Sequence, residues 1–331
     1  MKLLLIALIA FLQITITQAA TLNVPSVPPT CDYPCVLGWS STSDWSTGTV
    51  TGGGGGGGGS GRQLQSSTIN YFVNCATGND TTGNGTSVNP WATPTKAYDY
   101  HHSLWDMAGG QKVNVNLVGN CTGTYAMSGR QIGQKRSEDF MFIANGAGSS
   151  CNPGAITVSS PAPGAGTVPM AWIALDGAEF ALRCMTIQAP YAGGFGIVIV
   201  RGVIKGGDLW FGPTGGSFVT AAGPTSQFTT IGSLTPLSNS NPNIMFVAED
   251  YAFLTFPFPV TVSGCPSVGT ATVQVDIGGI QDWTGGSFSG CVGGKRYNSL
   301  SGGKLFTGGS GGPNFFPGTS AGFTDSISYY Q

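Results

Sequence analysis

Ile69-Asn70-Tyr71-Phe72-Val73, then Thr77-Gly78-Asn79-Asp80-Thr81-Thr82-Gly83-Asn84-Gly85, then Pro90-Trp91-Ala92-Thr93-Pro94-Thr95-Lys96-Ala97, is the stretch on which the fold turns. The first run is strand-like, and the second is a turn-rich loop. In the third, Thr93 is suited to cap a helix whose first residue is Pro94, with Gly109-Gly110 closing it after Met107. This is the one clear helix in the chain. Ala97, Leu104, Trp105 and Ala108 fall roughly on one face of it, which suits it to covering the open first turn of a β-solenoid. An uncovered end exposes strand edges and invites aggregation.

Beyond the helix, short strand candidates alternate with turn material: Lys112 to Val118, Phe140 to Ala144, Ala155 to Val158, Ala171 to Leu175, Ala178 to Ile187, Gly196 to Lys205 and Ser217 to Ala221. Val113-Asn114-Val115-Asn116-Leu117 alternates as a half-buried strand does, and Ile197 to Val200 is a continuous β-branched run. Strands separated by turns argue against a doubly wound fold and fit a parallel solenoid or an antiparallel sandwich. No motif recurs at fixed spacing, so self-similarity does not choose between them.

Composition agrees with an all-β chain. Fifty-four glycines and only 8% charged residues in 331 leave little material for long helices, while 40% hydrophobic residues supply a sizeable core. A formal net charge of -2 without a basic cluster gives no basis for binding nucleic acid or anionic membrane. Residues 1–20, with Lys2, the apolar run Leu3 to Leu12 and then Ala19-Ala20, read as a signal peptide, and no later stretch is long and apolar enough for a stable membrane span. Residues 21–68, rich in Pro, Ser and Thr and containing the glycine run Gly52 to Gly59, read as a flexible linker. The body is expected over 69–331.

The eight cysteines are an even number, as suits an exported chain. Cys31 and Cys35 form a local pair or two free thiols. Cys75, Cys121, Cys151, Cys184, Cys265 and Cys291 lie one to a segment, as staples between solenoid turns or as buried thiols. No zinc spacing is present.

The segment Tyr71-Phe72-Val73-Asn74-Cys75-Ala76-Thr77-Gly78-Asn79-Asp80, continuing through Gly83, Gly85, Pro90-Trp91-Ala92-Thr93 and Lys96-Ala97, resembles the opening of pectate-lyase-like right-handed β-helix proteins, where a strand, a Gly-x-Asp loop and a capping helix come in this order. Gly294-Lys295-Arg296-Tyr297 and Gly311-Gly312-Pro313-Asn314-Phe315-Phe316-Pro317-Gly318-Thr319-Ser320-Ala321-Gly322, within a C-terminal segment near 291–331, resemble the end of bacteriophage and prophage tail- or virion-associated β-helix proteins. The resemblance implies a right-handed parallel β-helix with one N-terminal capping helix, and by analogy a homotrimer. A signal peptide departs from the virion route, because tail and fibre proteins assemble inside the host cell. Secretion from a cell, or placement on a virion surface, are both expectations.

Enzymes of this resemblance use acidic residues in a groove, with calcium in lyases and an arginine as proton-abstracting base. Asp176, Glu179, Asp208 and Arg201 are therefore the catalytic candidates, set against Asp176-Gly177 as an ordinary turn dipeptide. Glu249-Asp250 is read as a solvated turn, and His101-His102 diverge by about 100° on a helix, too far to chelate one metal. No cofactor and no metal site is expected otherwise. Trp172, Trp210, Phe211 and Trp283, flanked by glycine and polar residues, are candidate platforms for sugar rings or else core. The preferred expectation is a non-catalytic surface or virion-associated β-helix that attaches to polysaccharide. A secreted polysaccharide lyase or glycoside hydrolase is the other reading.

Overall fold

The computed structural model describes residues 36–39, 45–48, 62–144, 151–309 and 312–331; the proposed signal peptide, Cys31, Cys35 and the glycine run lie outside them. The chain divides into two compact units, residues 1–61 and 62–331. In the first, Val36–Trp39 pairs antiparallel with Trp45–Gly48. The second is a parallel β-solenoid.

Its first face is a sheet in which ten strands are described, all parallel, running from Ile69–Val73 through Val113–Leu117, Phe140–Ala144 and Glu179–Arg183 to Tyr329–Tyr330. From Glu179 onward the coils are regular. Glu179, Val203, Gln227, Phe253, Ile280, Lys304 and Tyr329 stand in one column, 24 to 27 residues apart. The earlier coils differ, since Ile69 pairs with Val113 and Met141 with Ala181, so no fixed period spans the chain. The second and third faces belong to one bent sheet, because Thr186–Val200 and Leu209–Ala222 each run on from one face to the next.

Between the faces lies the core. One inward column of the first face reads Phe140, Phe180, Ile204, Phe228, Leu254, Gln281 and Leu305, all fully buried. Gln281 is the polar member. Its Nε2 donates to the carbonyls of Phe246 at 3.1 Å and Gln274 at 2.9 Å, and its Oε1 accepts from Trp283 Nε1 at 3.3 Å, so burial leaves no bond unmade. Phe316, from the C-terminal segment, is fully buried against Trp283, with ring centroids 5.2 Å apart.

The helix, α1, spans Pro94–Leu104, begins as expected with Thr93 accepting from Lys96 N at 3.2 Å, and lies beside Tyr125–Ser128, the edge strand of the third face. It ends earlier than the glycines predict. Trp105–Asp106 leaves it to pair with Gln63–Leu64, and Asp106 then caps a separate 3-10 turn, Met107–Gly109, through Ala108 N at 2.8 Å. Its buried face is accordingly Ala97, Tyr98 and His101, while Leu104 is exposed.

Three disulfides, Cys75–Cys121, Cys151–Cys184 and Cys265–Cys291, join successive coils, and no free cysteine occurs among the described residues. Asn116, expected on the outer side of its strand, is buried, and its Nδ2 donates to the Tyr71 carbonyl at 3.0 Å. No described helix is long and apolar enough to cross a membrane.

Candidate functional site

The four catalytic candidates are spread over the corners of the solenoid. Asp176 and Arg201 occupy left-handed corners between the third and first faces of adjoining coils, with φ of 49° and 58°, and their side chains pair with each other. Asp208 holds the next corner, φ 53°, where it accepts from Arg183 Nε at 3.1 Å and Ser233 Oγ at 3.3 Å. Glu179 opens the first-face strand and is held by Arg130 at 2.8 Å and by Ser137 Oγ at 3.0 Å. A five-residue strand separates the corner of Asp176 from that of Asp208, roughly 16 Å of extended chain. Each charge is thus matched to a neighbouring coil, and the four do not converge.

Three of the four candidate sugar platforms are core instead of surface. Trp172, Phe211 and Trp283 have no exposed area: Trp172 packs on Phe142 at 5.0 Å, Phe211 stacks on Phe218 at 4.8 Å, and Trp283 stacks on Phe256 at 3.8 Å. Large rings fill the space between coils because burying them contributes more than any exposed contact. Trp210 alone is partly exposed, over Gly154.

Two groupings escaped the sequence reading. The first is acidic. Glu249 ends a third-face strand in register with Asp276 of the next coil, since Ala248 pairs with Val275, and Asp250 follows in a left-handed corner. Burial first, then the charges of Asp250 and Asp276, push the Glu249 carboxyl up to about 7. Glu249 is therefore no solvated turn residue, and its Oε1 is sealed from water without a partner.

The second is a cavity of about 230 Å³ at the N-terminal end of the solenoid, under the end of α1. Its rings are Tyr71, Tyr100 and Trp105; Gln65, Ser66, Ser67 and Asn84 add amides and hydroxyls, and Ile69 completes the wall. Tyr100 meets Tyr71 edge-on at 6.0 Å and lies 4.8 Å from Trp91. His101, fully buried behind the wall, stacks on Trp105 and places Nδ1 3.3 Å from Tyr71 Oη. Burial, then the neighbouring His102, lowers His101 to about 4, while burial and then Tyr100 raise the Tyr71 phenol well above its ordinary range. Both are uncharged at neutral pH.

Gln65 is fixed by Nε2 bonds to the carbonyls of Ser67 at 2.8 Å and Lys112 at 2.9 Å, and its buried Oε1 has no partner. Residues 65–67, read from the sequence as the end of a linker, belong to the compact unit and form this wall. Their composition hid them. No family model matches this chain, and no curated protein or solved structure is found to be similar to it.

Uncharged aromatic and amide groups around a small concavity bind polar neutral molecules through stacking and hydrogen bonds.

Proposed function

We propose that this protein is an exported, non-catalytic β-helix of the tail- or fibre-like, surface or virion-associated kind, which attaches to cell-envelope glycans. The observation that carries this reading is the cavity, where three rings, two serines and Asn84 line one small space while the nominated carboxylates are tied between coils. Disulfides between coils support an oxidising destination, outside a cell or on a virion. The resemblance of residues 71–97 to pectate-lyase-like proteins, and of the C-terminal segment to phage β-helix proteins, supports the same setting, with a homotrimer by analogy.

The test is to pass the full-length protein over immobilised bacterial and plant polysaccharides, with and without calcium, and to assay the same mixtures for new ends. Retention on at least one polysaccharide without release of ends is expected. Release of unsaturated ends would transfer the protein to the polysaccharide lyases, and release of reducing ends to the glycoside hydrolases. Absence of retention on the whole panel would remove the glycan reading.

A further inference from the structure

We propose that the N-terminal cavity takes one terminal, uncharged sugar ring, so that the protein reads glycan chain ends rather than internal stretches. This rests on the glycan-attachment reading and adds the ligand's charge, its size and the place where it binds. Charge comes from the lining. Among the described residues no Lys, Arg, Asp or Glu lines the cavity, and Tyr71 with its buried neighbour His101 stays uncharged at neutral pH, so a uronate or phosphate would lose its hydration and find no counter-charge there.

Size comes from the volume. At about 230 Å³ the cavity lies below the roughly 300–1,000 Å³ of pockets that enclose drug-sized ligands, which leaves room for one ring. The hydrogen-bonding groups open to a ligand are those of Ser66, Ser67 and Asn84, because the Gln65 amide is spent through Nε2 on the carbonyls of Ser67 and Lys112 and its Oε1 is sealed from water. The hydroxyls or acetamido group of a neutral sugar pair with such groups, and Tyr100 and Trp105, both partly exposed, add aromatic surface for the C–H groups of a pyranose. Elsewhere among the described residues the exposed aromatics Tyr191, Tyr251, Phe258 and Phe323 belong to separate segments, and Tyr329 stands beside Phe306 at 5.7 Å as one pair at the last coils, short of a row that would track an internal stretch.

The experiment uses the full-length protein and three probes: methyl glycosides of neutral hexoses and N-acetylhexosamines, methyl glycosides of hexuronic acids, and the retaining polysaccharide before and after limited cleavage. Saturation-transfer NMR and tryptophan fluorescence read the first two, and bound protein per gram reads the third. A neutral glycoside should bind with an affinity unchanged by added salt, uronates should not bind, and capacity should rise with the number of chain ends. Tyr100→Ala should weaken binding about 3- to 10-fold while Tyr100→Phe keeps it, with unchanged melting of both variants as the control for folding. If polysaccharide is retained but uronates bind equally well, capacity ignores chain ends, or Tyr100→Ala binds normally, the inference is overturned and the attachment reading stands. If no polysaccharide is retained, both fall.

Discussion

At the scale of single residues, the corners are the features that composition conceals. Cys184 and Arg201 adopt left-handed backbone, φ 61° and 58°, the first where the sequence carries no turn signal and the second with only the single Gly202 beside it; for that reason the stretches 178–187 and 196–205 read as continuous strands and are in fact broken. Left-handed backbone costs an L-residue roughly 1–2 kcal/mol. Arg201 offsets part of this through its pair with Asp176, which is exposed and contributes at most about 1 kcal/mol. Arg201→Gly is therefore expected to leave thermal stability within about 1 kcal/mol of the parent, whereas Arg201→Val, β-branched at the same corner, should lose about 1–2 kcal/mol more. Melting curves of the two variants check this. A role for Arg201 as the base of a lyase would instead make both equally inactive without regard to stability.

At the scale of elements, the motif before α1 is legible because its chemistry is local. Asp80 accepts from the backbone N–H groups of Ala92 at 2.8 Å and Thr93 at 3.0 Å, and from Thr93 Oγ1 at 2.7 Å, fastening the loop to the helix start. Gly85 has φ 75°, and a Cβ there would stand 2.6 Å from the Trp91 ring, so only glycine fits. Asp80→Ala should cost about 2–4 kcal/mol and raise hydrogen exchange in α1 before the rest of the solenoid. The Gly-x-Asp resemblance is thus accounted for by a role in folding. What stayed illegible depends on distant pairing. Trp105–Asp106 is drawn out of the helix by Gln63–Leu64, and Asp276 joins Glu249 only through a coil period that varies between 24 and 27 residues where it is regular at all. The aromatic candidates failed for two reasons: Trp283 sits between Asp282 and Thr284, which look superficial, and only the stacking of coils buries it, whereas Trp172 lies in the apolar run Ala171 to Leu175, whose pattern already marks it as core.

At the scale of the molecule, two buried groups in different coils oppose each other in pH dependence. Glu249, raised from 4.5 to about 7, keeps its proton in the fold and loses it in the unfolded chain, so its contribution is fully present below about pH 4.5 and is lost as pH rises to about 7. His101, lowered from 6.5 to about 4, acts in the other direction: its contribution is present above about pH 6.5 and is lost as pH falls towards 4. The wild-type profile should be nearly flat across this window. Glu249→Gln removes one slope, so its stability should rise with pH from 4.5 to 7, gaining up to about 3 kcal/mol on the wild type. Denaturant titrations at pH 4.5, 6 and 8 measure it, and parallel profiles for the two proteins would show that Glu249 is not held protonated.

The placing of the disulfides has a mechanical consequence. They clasp the coils around Cys75–Cys121, Cys151–Cys184 and Cys265–Cys291, leaving the ladders from Val203 to Phe253 and beyond Lys304 without a covalent tie. Hauled along its length, the solenoid would unspool from those unclasped stretches first. The chain inside each clasp, whose cysteines are 46, 33 and 26 positions apart, would stay wound until the sulfur bond itself gave way.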